Sequence, residues 1–287
     1  MKSIFAPYRE VDYSALPPLS FYSSRSGESL ACRIYPAQSA KKAVVLIHGS
    51  SADSRSMHAL ASYLQKRKIE VCVPDVRGHG ASGRKGDIDY LGQLEDDLED
   101  LVFHLQHHEK SLTLMGFSSG GAFVLRFAAS DGGDLFDHYI ALAPYIRYDA
   151  PTTRPSDEKW AEAAVPRIVV LTLLGAPGAK YLGHLPVIAF AVSPVSAKDQ
   201  TPTYSYRLYK NFALHHDYQT DLKAIRKPLS VIIGEKDELL YPQKYLDMFA
   251  KAQPHAQIEI VPGIGHTSLT TADPALKAIV DSIQDRQ

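Results

Sequence analysis

The chain contains 287 residues, of which 45% are hydrophobic and 22% are charged, and its formal net charge is −1. This length fits one large α/β domain with an insertion, or two domains, and it provides enough apolar surface for a core without disulfides or metals. A net charge near zero, with no basic stripe, argues against a nucleic-acid partner, and we expect none.

The beginning of the chain contains no apolar run such as a signal peptide has, so we predict a cytoplasmic protein. The most apolar stretch, 168–174, is much shorter than the about 20 residues that span a bilayer, and we predict no transmembrane segment. Cys32 and Cys72 each lie in a predicted strand. Buried free thiols and a disulfide between them both fit this pattern.

Residues 19–144 alternate between short apolar runs and amphipathic segments. After a polar arm at 1–18, we predict two antiparallel strands at 19–23 and 30–35 and a buried strand at 43–47. The elements that follow are a helix at 56–68, a strand at 70–74, an acidic helix at 90–107, a strand at 111–115, a helix at 121–129 and a strand at 138–144. This order indicates an α/β fold with a mostly parallel central sheet flanked by helices.

The alternation stops after residue 145. Residues 146–215 are rich in proline and contain two apolar patches, 160–174 and 185–192, that we interpret as helices. Insertions at the carboxyl ends of parallel strands lie over the ligand crevice, so this segment is interpreted as a helical lid.

Strand patterns return after the insertion. We predict strands at 229–233 and 257–261 and a last amphipathic helix at 273–283. Because both ends of the chain contribute to the same alternation, they are expected to form one sheet. The predicted domains are an α/β core, residues 1–145 and 216–287, and a lid, residues 146–215.

The residues Gly116-Phe117-Ser118-Ser119-Gly120 lie between a predicted strand and a predicted helix. A G-x-S-x-G sequence in this setting is typical of a nucleophile elbow, in which a tight turn exposes the serine hydroxyl at the edge of the sheet. Small residues two positions before and after the serine are needed because strand and helix nearly touch. Ser118 is therefore the candidate nucleophile, and the alternative for the motif alone is a loop without chemistry.

A nucleophilic serine requires a base, and the base requires an acid that orients it. On this kind of fold the order along the chain is Ser, then Asp or Glu, then His. Asp237 and His266 each follow the carboxyl end of a predicted strand, so both are expected at the edge that holds Ser118. We predict Asp237 as the acid and His266 as the base, with Glu235 and Glu238 as alternative acids.

The oxyanion of an acyl-transfer reaction is held by main-chain N–H groups, one following the nucleophile and one in the loop after the strand at 43–47. These positions assign Ser119 and Ser50, with Ser51 as an alternative to Ser50. Phe117 and Ser51 are the candidate substrate contacts.

Two groups of side chains have the chemistry of metal ligands. His48, His79 and His266 contain suitable nitrogens, but no H-E-x-x-H or similar spacing joins them. The carboxylates of the helix predicted at 90–107 would have to converge on one point, and we interpret them as a solvated face. We predict no metal and no cofactor, and structural roles for His48 and His79.

A series of motifs follows in order along the chain: His48-Gly49-Ser50, Asp75-Val76-Arg77-Gly78-His79-Gly80-Ala81-Ser82-Gly83, Gly116-Phe117-Ser118-Ser119-Gly120, Gly234-Glu235-Lys236-Asp237 and Gly265-His266. This series resembles the α/β-hydrolase superfamily and, within it, the monoacylglycerol lipase and lysophospholipase-like group. The resemblance covers roughly residues 20–145 and 216–285. That group usually has His and Met flanking the serine, where this chain has Phe117 and Ser119, so the pocket wall is expected to differ.

The resemblance implies a serine hydrolase that cleaves monoacylglycerols, lysophospholipids or simple carboxyl esters through an acyl-enzyme on Ser118. The apolar lid patches 168–171 and 187–192 indicate an acyl pocket or packing onto the core, and they allow transient lipid contact. Alternatives on the same triad are a thioesterase, a proline-iminopeptidase-like aminopeptidase, a C–C bond hydrolase and a cofactor-free haloperoxidase. A non-catalytic binding protein for small molecules is the further alternative. The lid carboxylates that could hold the amine of an aminopeptidase substrate are Asp157, Glu158, Glu162 and Asp199.

Overall fold

The computed structural model describes residues 4, 6–106, 109–155, 160–192 and 200–284. The strands in chain order are β1 Ser20–Ser23, β2 Ser29–Tyr35, β3 Lys42–Ile47, β4 Ile69–Pro74, β5 Ser111–Phe117, β6 His138–Leu142, β7 Ala161–Ala163, β8 Pro186–Phe190, β9 Thr203–Ser205, β10 Leu229–Gly234 and β11 Gln257–Val261. The helices are α1 His58–Gln65, α2 Gln93–Leu105, α3 Ser119–Ala128, α4 Val165–Leu173, α5 Gly175–Leu182, α6 Tyr206–Asn211, α7 Tyr218–Ala224, α8 Pro242–Ala252 and α9 Asp273–Gln284.

The central sheet contains, within the described ranges, eight strands in the order β1-β2-β4-β3-β5-β6-β10-β11. The pairs β1–β2 and β2–β4 are antiparallel, and the other neighbours are parallel. The predicted mostly parallel sheet is therefore confirmed. Since the carboxyl ends of parallel strands meet at one edge, the loops after β3, β5, β10 and β11 come together there.

The central strands β3, β5 and β6 are almost entirely buried. Every residue of β6 is buried, as is every residue of β5 except Ser111 at its start. Continuous apolar runs of this kind are typical of strands that are covered on both faces. Burial of one large aliphatic side chain contributes about 1.5–3 kcal/mol, so these strands give the edge of the sheet a rigid support.

The chain between β6 and β10 forms a second sheet in the order β7-β8-β9, together with α4, α5 and α6. The prediction of a helix at 185–192 is wrong, because β8 pairs antiparallel with β7 and β9 in that region. A short apolar run fits either type of element, and here the neighbouring strands select extended backbone. The patch at 160–174 is a helix only from Val165 onward, and residues 193–199 lie outside the described ranges.

Helix α2 is shorter than the predicted 90–107. It begins after Gly92, which has φ 101°, and it ends before Gln106, which has φ 50°. Left-handed backbone at both ends is incompatible with a continuing right-handed helix. The apolar spacing of the sequence extends past both residues and therefore does not show these ends.

Cys32 and Cys72 are buried on the paired strands β2 and β4, and both thiols are free. This arrangement agrees with the interpretation of the cysteines as buried free thiols, and not with a disulfide. Within the described ranges, no helix combines the length and the apolar character that crossing a membrane requires.

Candidate active site

Ser118 occupies the turn between β5 and α3, with φ 55° and ψ −116°. This conformation is strained for a residue with a side chain. A Cβ on Gly116 would lie 2.3 Å from the Gly120 oxygen, and one on Gly120 would lie 2.3 Å from the His48 oxygen. Both positions therefore require glycine, and the tight approach of strand and helix expected for an elbow is present.

The three residues of the predicted triad form one chain of hydrogen bonds. His266 Nε2 lies 3.2 Å from Ser118 Oγ, and His266 Nδ1 lies 2.7 Å from Asp237 Oδ2. Asp237 is 1% exposed and His266 is 3% exposed. Because Nδ1 faces a carboxylate, it carries the ring proton, and Nε2 is left to accept the proton of the serine hydroxyl.

Asp237 is held by the backbone that follows it. Its Oδ1 accepts hydrogen bonds from the N–H groups of Leu239 and Leu240, both at 2.9 Å. The other oxygen, Oδ2, accepts from His266. Both oxygens therefore have partners, and the buried carboxylate is fixed in one orientation toward the imidazole.

The two alternative acids bind backbone groups instead of the imidazole. Glu238 Oε2 accepts the N–H of His266 at 2.7 Å, and Glu235 Oε2 accepts the N–H of Gly263 at 2.8 Å. A Cβ on Gly265 would lie 2.7 Å from Glu238 Oε1, so glycine is needed beside this carboxylate. Glu238 thus helps to hold the histidine loop, a role that the sequence interpretation missed.

Phe117 lies directly beside the histidine. Its ring centroid is 4.8 Å from that of His266, and only 4% of its surface is exposed. A Cβ on Gly49 would lie 3.3 Å from the Phe117 ring. The ring therefore packs against the imidazole. It has little exposed surface with which to form the pocket wall that was predicted for a substrate contact.

Ser50 lies in the loop after β3 and Ser119 is the first residue of α3, and their side-chain hydroxyls are hydrogen-bonded to each other. Within the described ranges, we find no protein acceptor for the main-chain N–H of either residue. Both N–H groups lie at the carboxyl edge of the sheet, one in the loop after β3 and one at the first residue of α3, after β5. This arrangement is compatible with the predicted pair of oxyanion donors.

Ser51 does not fit either of its predicted roles. It is fully buried, and its N–H donates to Tyr204 Oη at 2.7 Å. The N–H is therefore not available to an oxyanion, and the buried side chain has no surface to offer a substrate. Nothing in the sequence near Ser51 indicated Tyr204, which lies 153 residues further along the chain.

His48 and His79 are fully buried beneath the site, with ring centroids 4.9 Å apart. His48 Nδ1 lies 2.9 Å from the Gly49 oxygen, and Nε2 accepts the N–H of Val76 at 3.1 Å. Burial lowers the pKa of both histidines, and for His79 the neighbouring His48 lowers the pKa further. Both rings are thus neutral members of a hydrogen-bonded scaffold, in agreement with the structural roles predicted for them.

The zinc alternative lacks suitable ligands. The ring nitrogens of His48 and His79 are occupied by protein groups. In the part of the chain that the structure describes, no three His, Cys, Asp or Glu side chains are grouped as metal ligands.

The acidic helix α2 contains a carboxylate that is not on the predicted solvated face. Asp97 is 6% exposed and accepts two hydrogen bonds of 2.7 Å from Arg77, which lies in the loop after β4. Burial raises the pKa of Asp97, and Arg77 opposes this shift. The ion pair anchors the loop that also contains His79.

The fold and the site define an α/β hydrolase, and comparison with known families agrees. A family model described as serine aminopeptidase, S33, matches residues 38–273. The match covers most of the chain, which therefore belongs to this hydrolase family.

Known relatives of this chain include lipases and esterases. It is similar to monoacylglycerol lipase ABHD6 of Mus musculus, with 22% identity over 240 residues that cover 79% of this chain and 70% of the relative. It is also similar to protein phosphatase methylesterase 1 of Candida albicans, with 24% identity over 124 residues that cover 42% of this chain and 34% of the relative. The predicted resemblance to the monoacylglycerol lipase group is confirmed.

Solved structures share the same fold. A soluble variant of monoglyceride lipase from Saccharomyces cerevisiae aligns with TM-score 0.70 and 18% identity, covering 96% of each chain. The monoacylglycerol lipase of Paleococcus ferrophilus aligns with TM-score 0.67 and 17% identity, covering 90% of this chain and 99% of the other. These likenesses confirm the predicted α/β-hydrolase fold class.

Proposed function

We propose that the protein is a serine hydrolase that cleaves carboxylic esters through an acyl-enzyme on Ser118. The observation that carries this proposal is the hydrogen-bonded chain from Ser118 through His266 to Asp237, with distances of 3.2 and 2.7 Å, at a strained elbow. The similarity to monoacylglycerol lipases supports esters as the substrate class, with monoacylglycerols, lysophospholipids and simple carboxyl esters as the members to compare.

The proposed reaction has two halves. Ser118 Oγ attacks the acyl carbonyl carbon while His266 Nε2 takes the hydroxyl proton, and the negative oxygen is stabilised by the N–H groups of Ser50 and Ser119. The imidazolium then gives its proton to the departing alkoxide, which leaves as the alcohol. In the second half, water attacks the acyl-enzyme by the same route and releases the carboxylic acid. Asp237 stabilises the imidazolium, and the scheme requires no cofactor.

We also propose that residues 146–215 act as a lid on a core formed by 1–145 and 216–287. The separate sheet β7-β8-β9 between β6 and β10 supports this division. Of the apolar patches predicted to line an acyl pocket or to pack onto the core, Leu171 and Val187 are instead buried in a small cluster within the lid itself.

The outer side of α4 and α5 is proposed to contact lipid. Leu173 is 82% exposed and Tyr181 is 68% exposed, and Val170 and Leu174 extend the same apolar face. The charged side chains on these two helices are the cations Arg167 and Lys180, and their sequences contain no acidic residue. Apolar side chains beside basic ones are the chemistry that binds the interface of an anionic bilayer.

The lipid contact is tested by sedimentation with vesicles of phosphatidylcholine and phosphatidylserine. The wild type and Leu246→Glu, which changes an exposed leucine on α8, should sediment with the vesicles, and Leu173→Glu should not. Equal sedimentation of the two variants would rule out this face.

The ester-hydrolase proposal is tested with p-nitrophenyl esters of increasing acyl length. We expect the wild-type rate to increase as the acyl chain becomes longer than acetate. In Ser118→Ala we expect the rate to fall by about 10⁴-fold or more. The matched control is Ser111→Ala at the exposed start of β5, which should retain the wild-type rate. A rate maximum at acetate would contradict the lipase-like substrate class, and full activity in Ser118→Ala would contradict the mechanism.

An aminopeptidase is the second candidate, because the matching family is described as serine aminopeptidase. Of the predicted amine-binding carboxylates, Glu162 is exposed on β7, whereas Asp157, Glu158 and Asp199 lie outside the described ranges. Rates on aminoacyl p-nitroanilides distinguish the two candidates. Activity on these amides with none on esters would replace the ester proposal. Thioester substrates in the same assay test the thioesterase alternative.

A further inference from the structure

The loop that follows β3 is held by residues 201–205 of the lid, which we call the return segment. All three polar groups of Ser51 bind this segment: the N–H donates to Tyr204 Oη at 2.7 Å, the hydroxyl donates to the Thr201 oxygen at 2.6 Å, and the carbonyl accepts from the Thr201 N–H at 2.9 Å. Ser51 has φ 61°, a left-handed conformation that is unfavourable for serine. The return segment therefore supplies the bonds that keep Ser51 in this conformation.

The hydroxyl of Tyr204 has a defined direction. His79 Nδ1 lies 3.1 Å from the Val76 oxygen and 3.3 Å from the Arg77 oxygen, so Nδ1 carries the ring proton. His79 Nε2 is then an acceptor, and the Tyr204 hydroxyl donates a hydrogen bond of 2.6 Å to it. Burial raises the pKa of Tyr204, so the hydroxyl stays protonated. Its oxygen remains free to accept the N–H of Ser51.

The ring of Tyr204 is as firmly placed as its hydroxyl. It is 4% exposed and packs edge-on against His79 and Phe190, with centroid distances of 5.1 and 4.7 Å. The packing of the ring therefore fixes the position from which the hydroxyl binds the N–H of Ser51.

We propose that Tyr204 is a positioning residue for the oxyanion hole. By holding the N–H of Ser51, it fixes the peptide chain immediately after Ser50 and so fixes the direction of the Ser50 N–H. This role rests on the proposed function, because it assumes that the Ser50 N–H stabilises an oxyanion during ester cleavage. Tyr204 itself touches neither the substrate nor the reacting atoms.

The test compares two buried tyrosines of the lid. Tyr204→Phe removes the hydroxyl that holds Ser51. Tyr206→Phe is the matched control, because Tyr206 is also 4% exposed and its hydroxyl lies 3.1 Å from Thr172 Oγ1, which belongs to α4 and not to the oxyanion loop. For each protein, kcat and KM on a p-nitrophenyl ester are measured per titrated active site, together with the inhibition constant of an alkyl boronic acid, which mimics the tetrahedral state.

In Tyr204→Phe we expect kcat to fall about tenfold with KM within twofold, since a misdirected donor loses part of the about 10²–10³-fold effect of one oxyanion donor. The boronic acid should bind weaker by the same factor. Tyr206→Phe should stay within twofold of the wild type in all three quantities. A purely structural role would lower the fraction of titratable sites and leave kcat per site and boronate binding unchanged, and that result would overturn the proposal.

A second variant keeps the test decisive if Tyr204→Phe folds poorly. His79→Gln weakens the acceptor that orients the Tyr204 hydroxyl, and it should reduce kcat and boronate affinity together by a smaller factor. Unchanged values in a folded His79→Gln would also contradict the proposal. A wild type without esterase activity would instead overturn the proposed function, so the two failures are distinguishable.

Discussion

Two parts of the chain between β6 and β10 differ in how they are held. Three residues of the return segment 201–205 are buried, namely Thr201, Tyr204 and Ser205. The segment is bound to the core, because Thr201 Oγ1 donates to the Gly78 oxygen and the Ser205 N–H donates to the Gly86 oxygen. The outer face of α4 and α5 is exposed and apolar, with Leu173 82% exposed. The same stretch of the chain therefore binds the loops after β3 and β4 and also presents an apolar surface to the surroundings.

This difference separates two kinds of effect. We call the proposed triad, the proposed oxyanion donors and the return segment together the catalytic frame. Changes in the catalytic frame should alter the reaction with every substrate, because they move the groups that stabilise the transition state. Changes on the outer face should matter only when the substrate lies in a lipid surface.

The largest expected effect belongs to the catalytic frame. Asp237→Asn should lower kcat about 10³–10⁴-fold with the fold intact, because the amide no longer stabilises the imidazolium or selects its tautomer. The matched control is Glu235→Gln, which changes a nearby carboxylate that accepts the Gly263 N–H and should retain activity within a few-fold. Steady-state kinetics and circular dichroism measure both. Near-normal turnover in Asp237→Asn would move the role of the acid to a neighbouring carboxylate.

The contact between the return segment and the loop after β4 is tested by Gly86→Ala. Gly86 has φ 77°, and a Cβ there would lie 2.2 Å from the Thr203 oxygen, so the return segment must shift. We expect a loss of about 3 kcal/mol in the free energy of unfolding, measured by urea denaturation, and lower kcat.

The matched control for Gly86→Ala is Gly27→Ala. Gly27 has a similar φ of 80° but nothing within 4 Å of the added Cβ. It should lose only the about 1 kcal/mol that left-handed backbone costs an alanine. Equal losses in the two variants would show that the backbone conformation, and not the contact with Thr203, determines the effect.

The outer face is tested by the ratio of two activities. Leu173→Glu should lower the rate on a monoacylglycerol embedded in anionic vesicles about tenfold, because it places a charge in the surface that we propose contacts lipid. The rate on a dissolved p-nitrophenyl ester should stay within twofold. A parallel loss on both substrates would mean that Leu173 supports the catalytic frame, and the comparison between the two parts of the insertion would fail.

The smallest expected effect is a pH dependence of stability. The folded state keeps the pKa of His79 well below its usual 6.5, through burial and the neighbouring His48. The unfolded chain therefore binds more protons below that pH, and the free energy of unfolding decreases as the pH falls, by at most about 1.4 kcal/mol per pH unit for one histidine. Urea denaturation from about pH 7 to about pH 5 should show a shallower slope in His79→Gln than in the wild type. The control His255→Gln, in an exposed loop, should keep the wild-type slope, and equal slopes in all three proteins would contradict the prediction.

The sequence was sufficient to predict the central sheet and the order of the triad residues. The runs at β3, β5 and β6 are continuously apolar, and Ser118, Asp237 and His266 each follow a strand, so topology alone brings them to one edge. These signals are local in the chain and do not depend on distant partners.

The features that sequence reasoning missed depend on contacts between distant residues. The segment at 186–190 is a strand because β7 and β9 flank it. The N–H of Ser51 is occupied by the hydroxyl of Tyr204, which is 153 residues away in the chain. Glu238 is an alternative acid by its position in the sequence, but the loop geometry directs its carboxylate to the His266 N–H. No local pattern contains this information.

The central claim is that Ser118 is an activated nucleophile. The most direct measurement is covalent labelling of the folded protein by a fluorophosphonate, with intact-mass detection and peptide mapping. We predict one adduct per chain, located on Ser118, with labelling abolished in Ser118→Ala and strongly slowed in Asp237→Asn. Failure of the folded wild type to label at Ser118 would contradict the account and favour a non-catalytic binding protein on the same fold.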